Sequence, residues 1–294
     1  MLIGDFGCST QSTAQRASSK EQTSVTPAKA SARTGDEIGE LSHQGQQRTY
    51  YLYTPKSYKP NHPMPLVLAF HGYGSQGKNL ALNTGFNDLA EQKGFIIVYP
   101  DGIERRWDIA SNALTGVDDV SFVSALINHL TTIKAIDKRR IYATGVSNGG
   151  FLVQRLACEP KSQIAAFASV VATLPGEVQP FCHPETPISM LMINGTDDRK
   201  VPWEGGRLPY GWILSVPDTI NFWRQHNGCT ATAEVKQLPS SSRVEIARYP
   251  NCRGGSEVEL VTLKGVGHVW PRGGSGPSQL LNASKEIWTF FQRH

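Results

Sequence analysis

The sequence predicts an α/β fold in which a mostly parallel sheet is covered by helices on both faces. Short apolar runs that end at glycine or polar residues alternate with longer segments of helical periodicity. Such alternation is typical of βαβ units. The chain of 294 residues, 39% of them hydrophobic, is long enough to bury one substantial core, so we predict a single domain over residues 41–294.

The predicted elements follow one another in the order that a parallel sheet requires. Each strand is an apolar run bounded by turn residues, and each helix repeats apolar residues every three to four positions. The strands are predicted near residues 66–71, 95–99, 140–144, 165–171, 188–193 and 258–263. The helices are predicted near residues 86–93, 120–133, 148–158, 217–226 and 279–291.

The first forty residues differ in composition from the rest. Residues 9–33 are rich in Ser, Thr, Gln, Ala and Lys, so they cannot bury enough apolar surface to offset the entropy of ordering. We predict a disordered tether over residues 1–40. No apolar run reaches about eighteen residues, so we expect no transmembrane segment. Met1-Leu2-Ile3 is too short for a signal-peptide core, and any export signal is expected upstream or already removed.

Charge and cysteine spacing limit the expected partners. The net charge is +4, and no basic stripe interleaved with aromatic residues is present, so we expect no nucleic-acid partner. The cysteines lack the Cys-x-x-Cys spacing of metal sites, and neither a metal nor a cofactor is expected.

A candidate nucleophile stands between a predicted strand and a predicted helix. Residues 145–150 read Gly-Val-Ser-Asn-Gly-Gly, which matches the Gly-x-Ser-x-Gly pattern of a nucleophile elbow. The turn is so tight that only glycine fits on either side of Ser147. The alternative is that Ser147 merely caps the helix, as serine does in many loops.

A serine hydroxyl needs a base and an orienting carboxylate, and α/β-hydrolases supply them in the chain order Ser, Asp or Glu, His. Asp197 and Asp198 follow the apolar run 187–194, and from their position either could be the acid. His268 lies in a glycine- and proline-flanked loop after the strand-like run 257–263, where its imidazole can reach the serine. The other seven histidines lack such a setting.

Backbone donors for an oxyanion are predicted at two places. One is the N–H of Asn148, the residue after the nucleophile, and the other is the N–H of Tyr73 in the loop after the first predicted strand. His71 is expected to position that loop.

Several motifs together resemble an esterase family that groups polyhydroxybutyrate depolymerases with feruloyl and acetylxylan esterases, an α/β-hydrolase family. The resemblance covers about residues 48–291 and includes the segments 48–55, 71–74, 99–102, 118–122, 145–150, 195–206 and 267–271. It implies that the acid is Asp198, because the family acid is the second residue after the threonine of Gly-Thr-x-Asp.

The resemblance bears on the cysteines as well. Four of the five lie in the body of the chain and allow three pairings, and the resemblance implies Cys158 with Cys182 and Cys229 with Cys252. Disulfides indicate an oxidising compartment, hence secretion, against the alternative of buried free thiols. The remaining one, Cys8, begins the tether like the lipidated cysteine of a bacterial lipoprotein, so a lipid anchor is one alternative and an unpaired cysteine the other.

We therefore predict a secreted or periplasmic serine carboxylesterase that hydrolyses phenolic or acetyl esters of plant cell walls. Trp107, Trp203 and Trp270 lie in loops near the predicted catalytic rim and are expected to bind substrate. Aromatic walls suit a hydroxycinnamate, but they also suit sugars or a polyester. The first alternative is a polyhydroxybutyrate depolymerase or oligomer hydrolase. The second is a non-catalytic carbohydrate-binding protein on a hydrolase fold, against which the intact Ser, Asp and His argue.

Overall fold

The structure is a computed structural model that describes residues 1, 2, 4, 30–109, 116–238, 241–273 and 280–294. These residues contain twelve β-strands and six α-helices. The strands are β1 Gly35–His43, β2 Gln46–Thr54, β3 Met64–Phe70, β4 Ile96–Pro100, β5 Ile136–Val146, β6 Ala166–Val170, β7 Ser189–Gly195, β8 Gly206–Leu208, β9 Gly211–Ile213, β10 Glu234–Leu238, β11 Ser241–Tyr249 and β12 Val258–Leu263. The helices are α1 Gly77–Thr84, α2 Phe86–Lys93, α3 Asp119–Ile133, α4 Asn148–Ala157, α5 Val216–Asn227 and α6 Ala283–Phe291.

Ten of these strands form one sheet in the order β1-β2-β4-β3-β5-β6-β7-β12-β11-β10. The six strands from β4 to β12 run parallel, and two antiparallel strands extend the sheet at each edge. The strands β8 and β9 form a separate antiparallel hairpin. The prediction of a mostly parallel sheet is confirmed.

The central strands are apolar on both faces because helices cover both. In β3, for example, Leu66, Leu68 and Phe70 point into one core while Val67 and Ala69 point into the other. Helices α3, α4 and α5 contribute to the first core, and α1, α2 and α6 contribute to the second. The carboxyl ends of the parallel strands are thereby brought to one edge, where catalytic groups gather in open α/β sheets.

All six strands predicted from apolar runs are present as the parallel strands, and four of the five predicted helices agree to within about one residue at each end, as expected where boundaries are read from sequence. The fifth, α6, begins at Ala283 rather than near 279. Helix α1 and the strands β1, β2 and β8 to β11 were not predicted. The edge strand β10 is almost entirely exposed, so it carries no apolar run for a sequence pattern to reveal.

The predicted tether is wrong in its last residues, because β1 begins at Gly35 and pairs along its length with β2. Lys134, whose side chain is fully buried, donates to the backbone oxygen of Arg33 and to Glu37, which holds this segment on the body of the fold. Residues 3 and 5–29, which include Cys8 and most of the tether, lie outside the described residues.

Two disulfides join Cys158 to Cys182 and Cys229 to Cys252, as the resemblance implies. They close loops with sequence separations of 24 and 23 residues, for which the chain-entropy model gives about 3 kcal/mol each. Within the described ranges, no helix has the length and apolar character needed to cross a membrane.

Candidate active site

Ser147 stands in a strained turn between β5 and α4. Its backbone has φ 56° and ψ −119°, which is a costly conformation for a residue with a side chain and is typical of functional sites. A Cβ at position 145 would lie 2.3 Å from the oxygen of Gly149, and a Cβ at position 149 would lie 2.3 Å from the oxygen of Phe70. Both positions therefore require glycine, as the elbow pattern predicts.

The Ser147 side chain does not cap α4. Within the described residues its hydroxyl makes no capping hydrogen bond to the helix, although its backbone position is that of the N-cap. The Ser147 backbone N–H donates to the oxygen of Val170 at 2.9 Å, which ties the elbow to the end of β6. The side chain is thus presented at the strand ends, and the alternative reading of a simple helix cap does not hold.

Asp198 and His268 form a hydrogen-bonded pair. Nδ1 of His268 lies 2.8 Å from Oδ2 of Asp198, whose side chain is almost fully buried. The other carboxylate oxygen, Oδ1, accepts from the backbone N–H groups of Lys200 and Val201 at 2.8 and 2.9 Å. These donors fix the carboxylate plane, so Asp198 presents one defined oxygen to the imidazole.

Asp197, which the residues alone left open as the acid, is exposed and turned away from this pair. Its Oδ1 accepts from the hydroxyl of Thr196 at 3.0 Å. Its backbone N–H donates to Val266, which places the chain so that the next residue points inward. The geometry therefore joins His268 to Asp198 and not to Asp197.

The loop of Tyr73 and the start of α4, where the oxyanion donors are predicted, both adjoin Ser147. Position 72 is so close to Ser147 that a Cβ there would lie 3.5 Å from the Ser147 Cβ, which brings the loop of Tyr73 against the elbow. Asn148 is the first residue of α4, where a helix leaves its N–H groups without an intrahelical acceptor. Both backbone N–H groups belong to residues that line one cavity with Ser147 and His268.

A partly buried cluster of hydrogen bonds holds these donor segments in place. The side chain of Asn148 accepts from the Trp107 N–H at 2.7 Å and donates to the Trp107 carbonyl at 3.1 Å. The Trp107 indole N–H in turn donates to the His71 carbonyl at 2.9 Å. We call this set of contacts the clamp, because Trp107 ties the strand end before Tyr73 to the helix start at Asn148.

His71 completes the clamp as a neutral imidazole. Its Nε2 accepts from the Gly102 N–H at 3.0 Å, so Nδ1 carries the proton and donates to the Gly72 carbonyl at 2.8 Å. Burial lowers the pKa of His71 from its usual value. Because both nitrogens are engaged by backbone groups, His71 holds the loop and is not available as a base.

A buried ion pair contacts the chain next to Trp107 and so stabilises the clamp. Arg48 donates to Oδ1 of Asp119 at 2.7 Å and to the Asp101 carbonyl at 3.2 Å. The side chains of Arg48 and Asp119 are almost fully buried. Oδ2 of Asp119 accepts from the Asp108 N–H at 2.7 Å. Burial raises the pKa of Asp119, while the Arg48 charge opposes that shift. The sequence reading singled out Arg48 and Asp119 only as parts of a resemblance and missed this role, because their contact joins residues far apart in the chain.

The main cavity is the space of about 1260 Å³ at the strand ends that Ser147, Asn148, Tyr73 and His268 line. Among the predicted substrate-binding residues, Trp270 and Trp107 also line it. Trp107, however, is only 3% exposed and serves the clamp, so its indole offers little surface to a ligand.

Trp203, the third residue predicted to bind substrate, is not brought to this cavity, which corrects that prediction. It is absent from the described lining of the main cavity and packs, half-buried, against the first core. Tyr210, in the turn between β8 and β9, takes the place expected of an aromatic rim residue, because it lines the cavity and is about half exposed. Burial, with a contribution from the Asp198 charge, raises the pKa of Tyr210 to about 12, so its hydroxyl stays protonated and donates to the Lys200 carbonyl.

The described residues contain no cluster of three or more His, Cys, Asp or Glu side chains able to hold a metal.

The chain is similar in sequence to known esterases. Residues 48–188 match the family model described as esterase PHB depolymerase. Probable feruloyl esterase C of Aspergillus flavus is 30% identical over 257 residues, which are 85% of this chain and 85% of that protein. Feruloyl esterase B of Piromyces equi is 28% identical over 226 residues, and the match spans 73% of this chain but only 41% of that relative. Further relatives at 25 to 26% identity are named feruloyl esterase or acetylxylan esterase.

The structure is also similar to solved esterases. The acetyl xylan esterase from Aspergillus awamori superposes with a TM-score of 0.63 at 16% identity, over 88% of this chain and 100% of that one. This likeness and the sheet order give the chain the α/β-hydrolase fold that the sequence predicts.

Proposed function

The chain belongs to the esterase PHB depolymerase family of carboxylic ester hydrolases, and we propose that Ser147, His268 and Asp198 are its catalytic triad. The observation that carries the proposal is the hydrogen bond between His268 and Asp198, beside a cavity that Ser147 and His268 both line. The strain at Ser147 supports the same role, because a helix-capping serine does not need a positive φ.

In the proposed mechanism the Ser147 hydroxyl oxygen attacks the ester carbonyl carbon while Nε2 of His268 takes the proton. Asp198 holds the proton on Nδ1 and stabilises the imidazolium that forms. His268 then gives its proton to the leaving alcohol, and an acyl-serine remains. A water molecule, deprotonated by His268, attacks the acyl carbon of that intermediate. His268 then returns the proton to the Ser147 oxygen as the acid is released.

The tetrahedral intermediate carries a negative oxygen that needs donors fixed in advance. We assign them to the backbone N–H groups of Tyr73 and Asn148. Support comes from the approach of position 72 to Ser147 and from the clamp that ties Asn148 to Trp107. Donors held by such hydrogen bonds require little reorganisation when the charge develops, which is the source of their catalytic effect.

We propose that the substrates are phenolic or acetyl esters of plant cell walls. Relatives over most of the chain are named feruloyl or acetylxylan esterase. Trp270 and Tyr210 in the main cavity suit a flat aromatic acyl group. The second candidate is an ester of polyhydroxybutyrate, favoured by the description of the matching family model.

Purified protein tests this assignment against three substrates, namely methyl ferulate, acetylated xylan and hydroxybutyrate trimer. We expect the highest kcat/KM on one of the two plant-wall esters, with Ser147→Ala as the inactive control. A preference for the trimer by about tenfold or more would replace the first substrate class with the second. No hydrolysis of p-nitrophenyl acetate by well-folded protein would instead favour a non-catalytic binding protein.

We further propose that the protein works in an oxidising compartment, secreted or periplasmic. The two disulfides support this, because such bonds are rare in reducing cytosol. Thiol titration of denatured, unreduced protein exported by its host is expected to detect at most the Cys8 thiol. Detection of the four other cysteines as free thiols would contradict the proposal. Mass measurement of the same sample tests the alternative of a lipid on Cys8.

A further inference from the structure

A second cavity, of about 500 Å³, lies between the β8–β9 hairpin and α5. The hairpin forms one wall and the exposed face of α5 forms the other. Its polar and aromatic lining includes Gln179, Glu204, Trp212, Asp218, Asn221 and Gln225. The hairpin contributes to both cavities, since Leu208 and Tyr210 line the first while Gly206 and Trp212 line the second.

Trp212 is held rigidly but remains exposed. Its backbone N–H donates to Glu177 at 2.9 Å, and its carbonyl accepts from the Gly176 N–H at 2.8 Å. A Cβ at position 176 would lie 2.2 Å from Cδ1 of Trp212, so the indole rests directly on the glycine backbone. Even so, 54% of Trp212 is exposed. A fixed indole with a large open surface is a ready platform for an apolar ligand face, because ordering it costs nothing further on binding.

The polar groups around this platform suit a neutral, hydroxyl-rich ligand. Asn221 and Gln225 offer amides that donate and accept, and Glu204 and Asp218 offer carboxylates that accept from hydroxyl groups. All four are exposed. Among the described residues that line this cavity there are two carboxylates and no lysine or arginine, which disfavours an anionic ligand. Arg224 stands beside the cavity and donates to Oδ1 of Asn221 at 3.2 Å. A pyranose ring has an apolar C–H face for the indole and hydroxyl groups at its edge for the amides and carboxylates.

We propose that the second cavity binds a neutral polysaccharide, with one sugar ring lying on Trp212. A cavity of this size accommodates about two sugar units. The inference rests on the proposed function, which explains why a polysaccharide would be present. A polysaccharide whose ester group is bound in the main cavity would extend past the hairpin and contact Trp212. Binding itself requires no ester, so it can be tested on unesterified glycans.

Affinity electrophoresis through gels containing de-esterified arabinoxylan tests the proposal on wild-type protein. We expect wild-type migration to be retarded, and Trp212→Ala to weaken retardation by about tenfold or more in apparent affinity. Phe181→Ala is the matched control, because Phe181 is also exposed but lines neither cavity. Asn221→Ala is expected to weaken binding less than Trp212→Ala does, and Phe181→Ala not at all.

Kinetics separate this inference from the proposed function. Trp212→Ala is expected to raise KM for feruloylated arabinoxylan by about fivefold or more and to leave methyl ferulate hydrolysis within about twofold. Unretarded wild type that still hydrolyses methyl ferulate would overturn only the glycan site, as would equal retardation of wild type and Trp212→Ala. Trp212-dependent retardation without esterase activity would overturn only the proposed function. A further outcome is that the wild type is retained on a polylysine matrix, that Trp212→Ala abolishes this retention, and that glycans retain neither protein. That outcome would identify the ligand as a cationic peptide and not a saccharide.

Discussion

The two walls of the main cavity are built in opposite ways. On the wall beside Ser147, the buried His71 and Trp107 and the half-buried Asn148 are joined to one another by directed hydrogen bonds. On the facing wall, the short strands β8 and β9 carry Tyr210, which is about half exposed and held at its tip by one hydrogen bond to Lys200.

This difference separates chemistry from recognition. Donors that stabilise a developing charge must be fixed before the reaction, and buried hydrogen bonds provide that rigidity. Side chains that select a substrate can sit on an exposed hairpin, where a substitution costs little stability. We therefore expect changes in the buried wall to lower kcat on every ester, and changes on the exposed wall to alter the ranking of substrates.

The largest effect is expected from Ser147→Ala, which removes the nucleophile. We expect kcat on p-nitrophenyl acetate to fall by about four orders of magnitude or more, with an unchanged melting temperature. His268→Ala is expected to behave alike, because nucleophile and base act as a unit. Ser75→Ala is the matched control, since Ser75 lines the same cavity without a proposed role. Substantial activity of rigorously purified Ser147→Ala would contradict the triad.

The acid is tested by a pair of neighbouring substitutions. Asp198→Asn removes the charge that holds the His268 tautomer, and we expect kcat to fall by about three orders of magnitude or more. Asp197→Asn changes an exposed group and is expected to stay within about threefold of wild type. Steady-state kinetics on p-nitrophenyl acetate measure both, and the reverse ranking would move the acid to Asp197.

The clamp is tested by Asn148→Ala, which removes the side chain but keeps the backbone N–H. Losing a whole oxyanion donor costs about 10²- to 10³-fold, so a donor that is only less well fixed is expected to cost about 10- to 100-fold in kcat, with KM nearly unchanged. Asn148→Asp keeps the acceptor for the Trp107 N–H and is expected to be intermediate. Asn83→Ala, also on the cavity lining, is the control. A rise in KM with unchanged kcat would contradict a positioning role.

What the sequence could predict follows the same division. The six parallel strands were predictable because each contains a run that is buried on both faces and reads as a local apolar run. Ser147 was predictable because the tight elbow demands glycines at fixed offsets. Local signals of this kind need no knowledge of the rest of the fold.

Contacts between distant segments left no local signal. Arg48 and Asp119 pair across 71 positions, and each alone reads as an ordinary charged surface residue. Trp203 and Trp212 read alike in the sequence, yet one packs against the first core and the other is exposed at the second cavity. Tertiary packing decides such cases, so the substrate-binding residues were the weakest part of the sequence reading.

The smallest effect is expected from a substitution at Trp270, which could belong either to substrate recognition or to the support of the catalytic residues. Trp270 lines the main cavity two residues beyond His268 and packs its ring 5.9 Å from that of Phe86. We expect Trp270→Ala to lower kcat/KM for methyl ferulate by about tenfold, or about 1.4 kcal/mol of transition-state binding, and to leave p-nitrophenyl acetate within a few-fold. A ferulate ring can reach the indole, whereas an acetyl group is too small to use it. Equal losses on both esters, with a lower melting temperature, would mean that Trp270 supports the His268 loop and belongs to the buried wall. Unchanged kinetics on both would remove Trp270 from recognition and leave Tyr210 as the aromatic contact to test by Tyr210→Ala.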